Sequence, residues 1–257
     1  MKLITRPTLF ISTILFALMY SVSASAYQFG PTPITELAET GASQNRLSLY
    51  SQTNKFEGSK FEAALTGVSF VNSTADSSGG TSVMFRGASY KDNRTVNGAA
   101  SDSAGVLFGV GVGKQWYLGQ ERNFGLLLNG QMDYLSFSYN VFLNNNTTAK
   151  LNAAQLAFGL EGGVLYRIFI DKATITPFVT VMQGSRSRNI STTSSCTNCA
   201  ADVTYTDSAT TIGLDLMMGK LSASILQTNA SYVEKNSTVT FAPQKTTITM
   251  LVLGLNF

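Results

Sequence analysis

Residues 154–166 read AQLAFGLEGGVLY, and large apolar residues occupy every second position of the stretch. Leu156, Phe158, Leu160 and Val164 share one parity, whereas the other parity holds mainly small or polar residues. A period of two is typical of β-strands, because successive side chains of a strand point to opposite faces. The last twelve residues, TTITMLVLGLNF, repeat the pattern.

The alternating segments are long, at ten or more residues. Strands of globular proteins average ~5–6 residues, whereas a tilted strand needs ~9–11 to cross a bilayer. Ten segments with this pattern are predicted, an even number of the kind that bacterial membrane barrels have. Eight strands is the alternative, with residues 27–58 then forming a periplasmic segment. The ten predicted strands lie near 44–52, 60–73, 81–91, 104–117, 124–142, 150–166, 174–188, 203–217, 220–232 and 246–257.

The connections between these segments are of two kinds. Short turns on one rim and long polar loops on the other are typical of outer-membrane barrels. The pattern therefore predicts an all-β fold, a closed antiparallel up-and-down transmembrane barrel with short periplasmic turns and long extracellular loops. The connections 118–123, 167–173 and 218–220 are short, and 92–103, 189–202 and 233–245 are long and polar.

The amino terminus predicts export. Lys2 and Arg6 precede an apolar run over residues 9–22, and Ala24-Ser25-Ala26 follows it. This order is typical of a cleaved signal peptide, and the run is shorter than the ~20 residues of a membrane anchor. Residues 1–26 are therefore predicted to be the signal peptide. Residues 27–257 form the barrel, of which 27–43 are a periplasmic segment, and the predicted location is the cell outer membrane.

The chain resembles small bacterial outer-membrane β-barrels of the OmpA, OmpX and OmpW kind. One part of the resemblance is the terminal Phe257 with Leu255, Leu253 and Leu251 on the same strand face; the other is the Gly-rich hairpin-like stretch over residues 159–181. The resemblance implies that the terminal residues are read by the barrel assembly machinery. It also implies outer-membrane lipid and lipopolysaccharide as partners.

Composition argues against several other classes. The chain has no histidine. The ordinary pKa of this side chain suits acid–base catalysis near neutral pH. The enzymes among small outer-membrane barrels resemble one another in relying on histidine. No enzyme activity, cofactor or metal is therefore expected. The sequence contains no Lys/Arg-rich stripe of the kind that would predict nucleic-acid binding. A secreted β-sandwich is disfavoured because Phe108 and its valine neighbours alternate with glycines, which leaves no polar outer face.

Charged residues within the strands are predicted to point inward, because an arginine or lysine facing lipid costs ~2–4 kcal/mol near the midplane. If they pair across the lumen, the barrel is plugged and acts as a surface scaffold that displays its loops. If they leave a wet path, it is a small passive channel or carrier for ions or for small or hydrophobic molecules. The predicted lumen charge network is Arg86, Asp133, Glu161, Asp215 and Lys220.

The predicted loops carry the remaining candidates. Cys196 and Cys199 are the only cysteines; with no histidine and no third cysteine, a zinc site lacks ligands, so a local loop disulfide is expected. The loops are rich in Asn, Ser and Thr, which suits an extracellular glycan or protein ligand. Possible lipopolysaccharide contacts at the outer rim are Lys91, Arg94, Arg186 and Arg188.

Overall fold

The computed structural model describes residues 42–57, 62–96, 99–119, 121–142, 148–192, 201–235 and 243–257. Its regular structure consists of eleven strands. No helix in this part of the chain is long and apolar enough to cross a membrane. The strands are β1 (Ser43–Phe56), β2 (Glu62–Asp76), β3 (Gly79–Val96), β4 (Ala99–Leu118), β5 (Phe124–Phe142), β6 (Thr148–Tyr166), β7 (Ile168–Ile170), β8 (Ala173–Thr192), β9 (Ala201–Met218), β10 (Leu221–Lys235) and β11 (Gln244–Asn256).

Ten of these strands form one closed antiparallel ring. Consecutive strands are hydrogen-bonded, β6 pairs with β8, and β1 pairs with β11 to close the sheet. The three-residue β7 follows β6 and pairs with the start of β8, so it extends β6 toward one rim. The predicted ten-strand up-and-down barrel is confirmed, and the eight-strand alternative is wrong.

The register shows that the strands are strongly staggered. Cross-strand pairs lead from Leu49 through β2 to β6 and reach β8 at Ser187. In the other direction, through β11, β10 and β9, they reach β8 at Ile175, twelve residues away. Such a stagger accompanies strands that tilt by ~35–45° from the barrel axis. A row of paired residues therefore climbs around the wall instead of staying at one height.

The two ends of the barrel differ. At one end, called the turn rim here, two residues join β2 to β3, β7 to β8 and β9 to β10, and five join β4 to β5. At the other end, the loop rim, the strands run further than predicted. β3 continues to Val96 and β8 to Thr192, so strand occupies much of the predicted connections 92–103 and 189–202. Just before this extension of β8, Arg186 and Arg188 are buried, whereas Ser185 and Ser187 are exposed, so the alternation of facing continues among polar residues.

The wall has an apolar outside and a mixed, closely packed inside. Inward residues are buried and include many polar and charged side chains, from Ser48 and Gln52 on β1 to Asn256 on β11. This arrangement is the reverse of a water-soluble protein and is typical of a barrel in lipid. The exposed outward residues include Leu47, Leu49, Val68, Phe85, Phe108, Val112, Leu126, Met132, Phe158, Leu160, Val179, Ile212, Leu214, Ile225, Leu251 and Leu253.

Candidate functional site

The barrel interior is the candidate site, and an ion pair between β3 and β5 lies within it. Arg86 Nε donates to Asp133 Oδ1 at 2.9 Å, and Arg86 Nη2 lies 2.5 Å from Asp133 Oδ2. This bidentate geometry is the strong form of an Arg–carboxylate contact. The two side chains are 1% and 0% exposed. The structure thus brings together two residues of the predicted lumen network and shields both from water.

Gly109 makes this pairing possible. In the register Arg86 pairs with Gly109, and Gly109 pairs with Asp133, so the ion pair crosses the intervening strand over a residue without a side chain. A Cβ atom at Gly109 would lie 1.9 Å from Asp133 Oδ1 and 2.6 Å from Arg86 Nε. The glycine run of β4 therefore leaves room for the charged groups of both neighbouring strands.

Replacing Gly109 by alanine is expected to lower the free energy of unfolding by ~2–4 kcal/mol, because the methyl group overpacks the interior and displaces a buried ion pair. Gly111→Ala is the matched control, because its Cβ would lie 3.1 Å from the flexible end of Met84. The control should cost less than about 1.5 kcal/mol. Urea unfolding in lipid vesicles measures both variants, and equal losses would contradict the steric role of Gly109.

A second polar group fills the interior toward the loop rim. Arg186 Nε and Nη2 lie 2.7 Å and 2.6 Å from the carboxylate oxygens of Asp207. Arg188 donates to Gln155 Oε1 from Nε at 2.9 Å and from Nη2 at 2.6 Å. Both guanidinium groups also lie over the ring of Tyr205, at 4.9 Å and 5.4 Å from its centroid. Ion pairing and cation–π contact together offset the desolvation of the two buried charges.

Aromatic side chains surround the two arginines. Tyr205 and Tyr232 pack edge to face with centroids 5.9 Å apart. Phe137 lies 5.4 Å from Tyr90 and 5.9 Å from Tyr139. These rings belong to one continuous buried cluster contributed by β1 to β10, β7 excepted. The rings and the arginines are packed together in the interior at this level, where aromatic groups fill large volumes with few rotatable bonds.

A third polar group lies toward the turn rim. Glu161 accepts hydrogen bonds from Thr180 Oγ1 at 2.5 Å and from Asn129 Nδ2 at 3.1 Å. Asp215 accepts one from Ser224 Oγ, and its Oδ1 lies 3.5 Å from Arg46 Nη1. Glu161 and Asp215 are buried, as the parity argument predicted for inward-facing carboxylates. The interior is therefore polar at three levels, with each carboxylate hydrogen-bonded.

Three sequence assignments need correction. Lys220 lies in the two-residue turn between β9 and β10 and is exposed, because a turn residue does not follow strand alternation. Arg186 and Arg188, predicted as lipopolysaccharide contacts at the outer rim, are 2% and 1% exposed and point into the barrel. The reason is that β8 continues past them to Thr192, so they keep the inward parity of Met182.

Comparison with solved structures finds several proteins with a similar fold. The translocator domain of the autotransporter NalP from Neisseria meningitidis matches with a TM-score of 0.56 at 8% identity, over 85% of this chain and 90% of that one. The chain has the fold of a bacterial outer-membrane β-barrel. Weaker matches are the β domain of the Bordetella autotransporter BrkA (TM-score 0.46, 13% identity, 84% and 99% covered) and Ail of Yersinia pestis (TM-score 0.34, 10% identity, 85% and 100% covered). No family model and no curated protein matches the chain.

The structure also shows where the remaining predicted residues lie, as far as they are described. Phe257, Leu255, Leu253 and Leu251 all face outward from the closing strand and are about half exposed, between 48% and 61%. Lys91 is exposed on β3. The side chain of Arg94, both cysteines, the predicted signal peptide and residues 27–41 lie outside the described part of the chain. Among the described residues, no group of His, Cys, Asp and Glu side chains could hold a metal ion.

Sequence analysis missed one buried cation, Arg167 between β6 and β7. Its guanidinium lies 3.8 Å from the centroid of the Tyr117 ring and donates to the carbonyl oxygen of Arg122 from Nε at 3.0 Å and Nη2 at 2.6 Å. The contact packs the β4–β5 turn against the extension of β6. The sequence signal was present: Arg167 directly follows Tyr166 in a segment rich in aromatic and aliphatic residues.

Proposed function

We propose that this protein is an integral outer-membrane barrel with a sealed lumen, acting as a scaffold that displays its loop rim at the cell surface. The observation that supports a sealed lumen is the burial of inward charged side chains in the middle of the barrel and toward the loop rim. Asp133, Arg186 and Arg188 are all at most 2% exposed. A continuous water path through the barrel would leave the charged groups beside it accessible.

The proposal extends to the contacts of the loop rim and of the closing strand. Lys91 and Arg94 at the loop rim are candidates for lipopolysaccharide phosphate, since cations bind phosphate through charge-assisted hydrogen bonds. The outward Phe257 and its three leucines are candidates for recognition by the barrel assembly machinery. A Cys196–Cys199 disulfide would shape one displayed loop. A glycan or protein ligand for the loops is part of the proposal, and a catalytic role is not, because the chain lacks histidine.

Purified protein in planar lipid bilayers is expected to show no steady conductance, because the interior side chains fill the lumen of a small barrel. Insertion is verified separately by a band shift on gels between boiled and unboiled samples. Reproducible ion-selective currents from inserted protein would contradict the sealed lumen. They would favour the alternative, a small passive channel or carrier.

A further inference from the structure

The outer wall carries a groove whose chemistry changes along its length. Its volume is about 1090 Å³, and it crosses β6, β8, β9, β10, β11 and β1. Two outward rows of register partners form it. One runs from Gly162 through Val181 and Thr210 to Lys55, and its neighbour runs from Leu160 through Gln183 to Lys245. At ~4.8 Å per strand, five steps make the groove roughly 24 Å long.

Two alanines lie in the inward row behind the groove. This row includes Ala209 and Ala230 together with the larger Met182 and Phe56. The alanines pack inside the barrel with Ala157, Met182 and Ile248 as one buried cluster. The groove therefore has a closely packed floor.

The two ends of the groove differ because the row climbs with the strand tilt. The β6 end contains Leu160 and Val181, which are 59% and 61% exposed and belong to the apolar outer band. The middle is uncharged and polar, with Ser208, Thr210 and Asn229 among its residues. The β1 end lies at the loop rim. The groove therefore passes from a hydrocarbon-like surface through hydroxyl and amide groups to a charged end.

The charged end offers two lysines in weak ion pairs. Lys55 Nζ lies 3.4 Å from Glu62 Oε1, and Lys245 Nζ lies 3.9 Å from Glu57 Oε2. Both lysine side chains are more than two-thirds exposed, at 68% and 69%. Exposed pairs of this kind contribute only ~0–1 kcal/mol. The lysines can therefore exchange these carboxylates for another anionic group with little loss, beside Glu57, which lines the same end of the groove.

The outer band also ends abruptly beside the groove. Outward Leu156, Phe158 and Leu160 of β6 pair directly with residues 187, 185 and 183 of β8, which are Ser, Ser and Gln. All six are exposed. Pure hydrocarbon suits the β6 side of this boundary and leaves the polar β8 side without hydrogen-bond partners. An amphiphile that carries both apolar and hydroxyl groups suits both sides.

We propose that this groove binds an acidic glycolipid of the loop-side leaflet, the chemistry of lipopolysaccharide. Its acyl chain would lie on Leu160 and Val181, its sugar hydroxyls on the uncharged polar residues, and its acidic groups at Lys55 and Lys245. A phospholipid has no sugars between its acyl chains and a more distant acidic group, such as an inner-core carboxylate, and leaves the polar middle unused. A second copy related by a two-fold axis would set groove against groove and leave both hollows unfilled. The inference rests on the proposed membrane location, and it is independent of whether the lumen is sealed.

The test uses the full mature barrel in phosphatidylcholine vesicles, with lipopolysaccharide truncated to lipid A and inner-core sugars as the probe. The double variant Lys55→Gln/Lys245→Gln is expected to bind it roughly tenfold more weakly than the wild type, through loss of two charge-assisted contacts. Lys172→Gln/Lys220→Gln removes two exposed charges from the turn rim and is the matched control, expected to bind as the wild type does.

Three results would overturn the proposal. They are equal affinity in both double variants, equally tight binding of phosphatidylglycerol, and a dimer that the glycolipid does not dissociate. A boiled-against-unboiled band shift in the same vesicles verifies the folded membrane barrel in every sample. Failure of glycolipid binding is therefore distinguished from failure of the membrane location, and planar-bilayer currents report on the lumen separately.

Discussion

Replacing Arg86 by methionine is expected to lower the free energy of unfolding by ~3–5 kcal/mol, the usual cost of removing one partner of a buried ion pair. The cost arises because Asp133, with a side chain 0% exposed, keeps its place in the interior without the guanidinium that neutralises it. Urea titration in lipid vesicles, followed by the fluorescence of Trp116, the only tryptophan, measures the change. Lys220→Met, which removes an exposed turn cation, is the control and should change the stability by less than ~0.5 kcal/mol.

The double variant Arg86→Met/Asp133→Leu separates pairing from packing. It removes both charges and keeps much of the volume, so it is expected to recover most of the loss. A loss below ~1 kcal/mol in the single variant would indicate a solvated pair and would count against a sealed lumen. A double variant as unstable as the single one would show that side-chain shape, not charge, is what the interior requires.

The facing of the central strand residues could be predicted from sequence, whereas their partners could not. Period-two alternation assigns Asp133 and Glu161 to the inside because their strands have one apolar face. The strand of Arg86 carries apolar residues on both parities, so alternation alone allows either facing there. The pairing of Arg86 with Asp133 depends on two hairpin registers and a gap at Gly109, across 47 residues of sequence. Register is set by turn geometry and the side-chain pattern together, so a single strand read alone cannot supply it.

The loop rim was the least predictable region, for a physical reason. Residues 184–190, GSRSRNI, contain the predicted end of a strand at 188 and were assigned to the outer rim, yet the strand continues through them with Arg186 and Arg188 inside. The outward residues Ser185, Ser187 and Asn189 are polar, so both faces of the strand are polar here and the alternation of apolar with polar residues disappears. Counting parity onward from Met182 would have placed both arginines inward. Their contacts with Asp207 and Gln155 required the structure.

An arginine at Leu160 is expected to cost ~2–4 kcal/mol, whereas an arginine at its cross-strand neighbour Gln183 should cost less than ~1 kcal/mol. The two residues are register partners on the same outer face, with Cβ atoms ~4.5–5.5 Å apart in such pairs. Leu160 is followed toward the loop rim by Phe158 and Leu156, so its guanidinium would be surrounded by hydrocarbon. Gln183 is followed by polar outward residues, toward which an arginine can extend to reach lipid headgroups.

This comparison tests whether the outer band has the same height all around the barrel. Both variants are measured by urea unfolding in phosphatidylcholine vesicles without glycolipid, so that no specific ligand covers β8. Equal losses in the free energy of unfolding would mean that hydrocarbon reaches the same height on β6 and β8. The polar strip of β8, outward Gln183, Ser185 and Ser187, would then lie in hydrocarbon without hydrogen-bond partners. A large difference would mean that the bilayer thins beside β8, as bilayers do around a short apolar span at modest cost. The polar strip would then be open to headgroups and to sugars, which is the setting that a glycolipid groove needs.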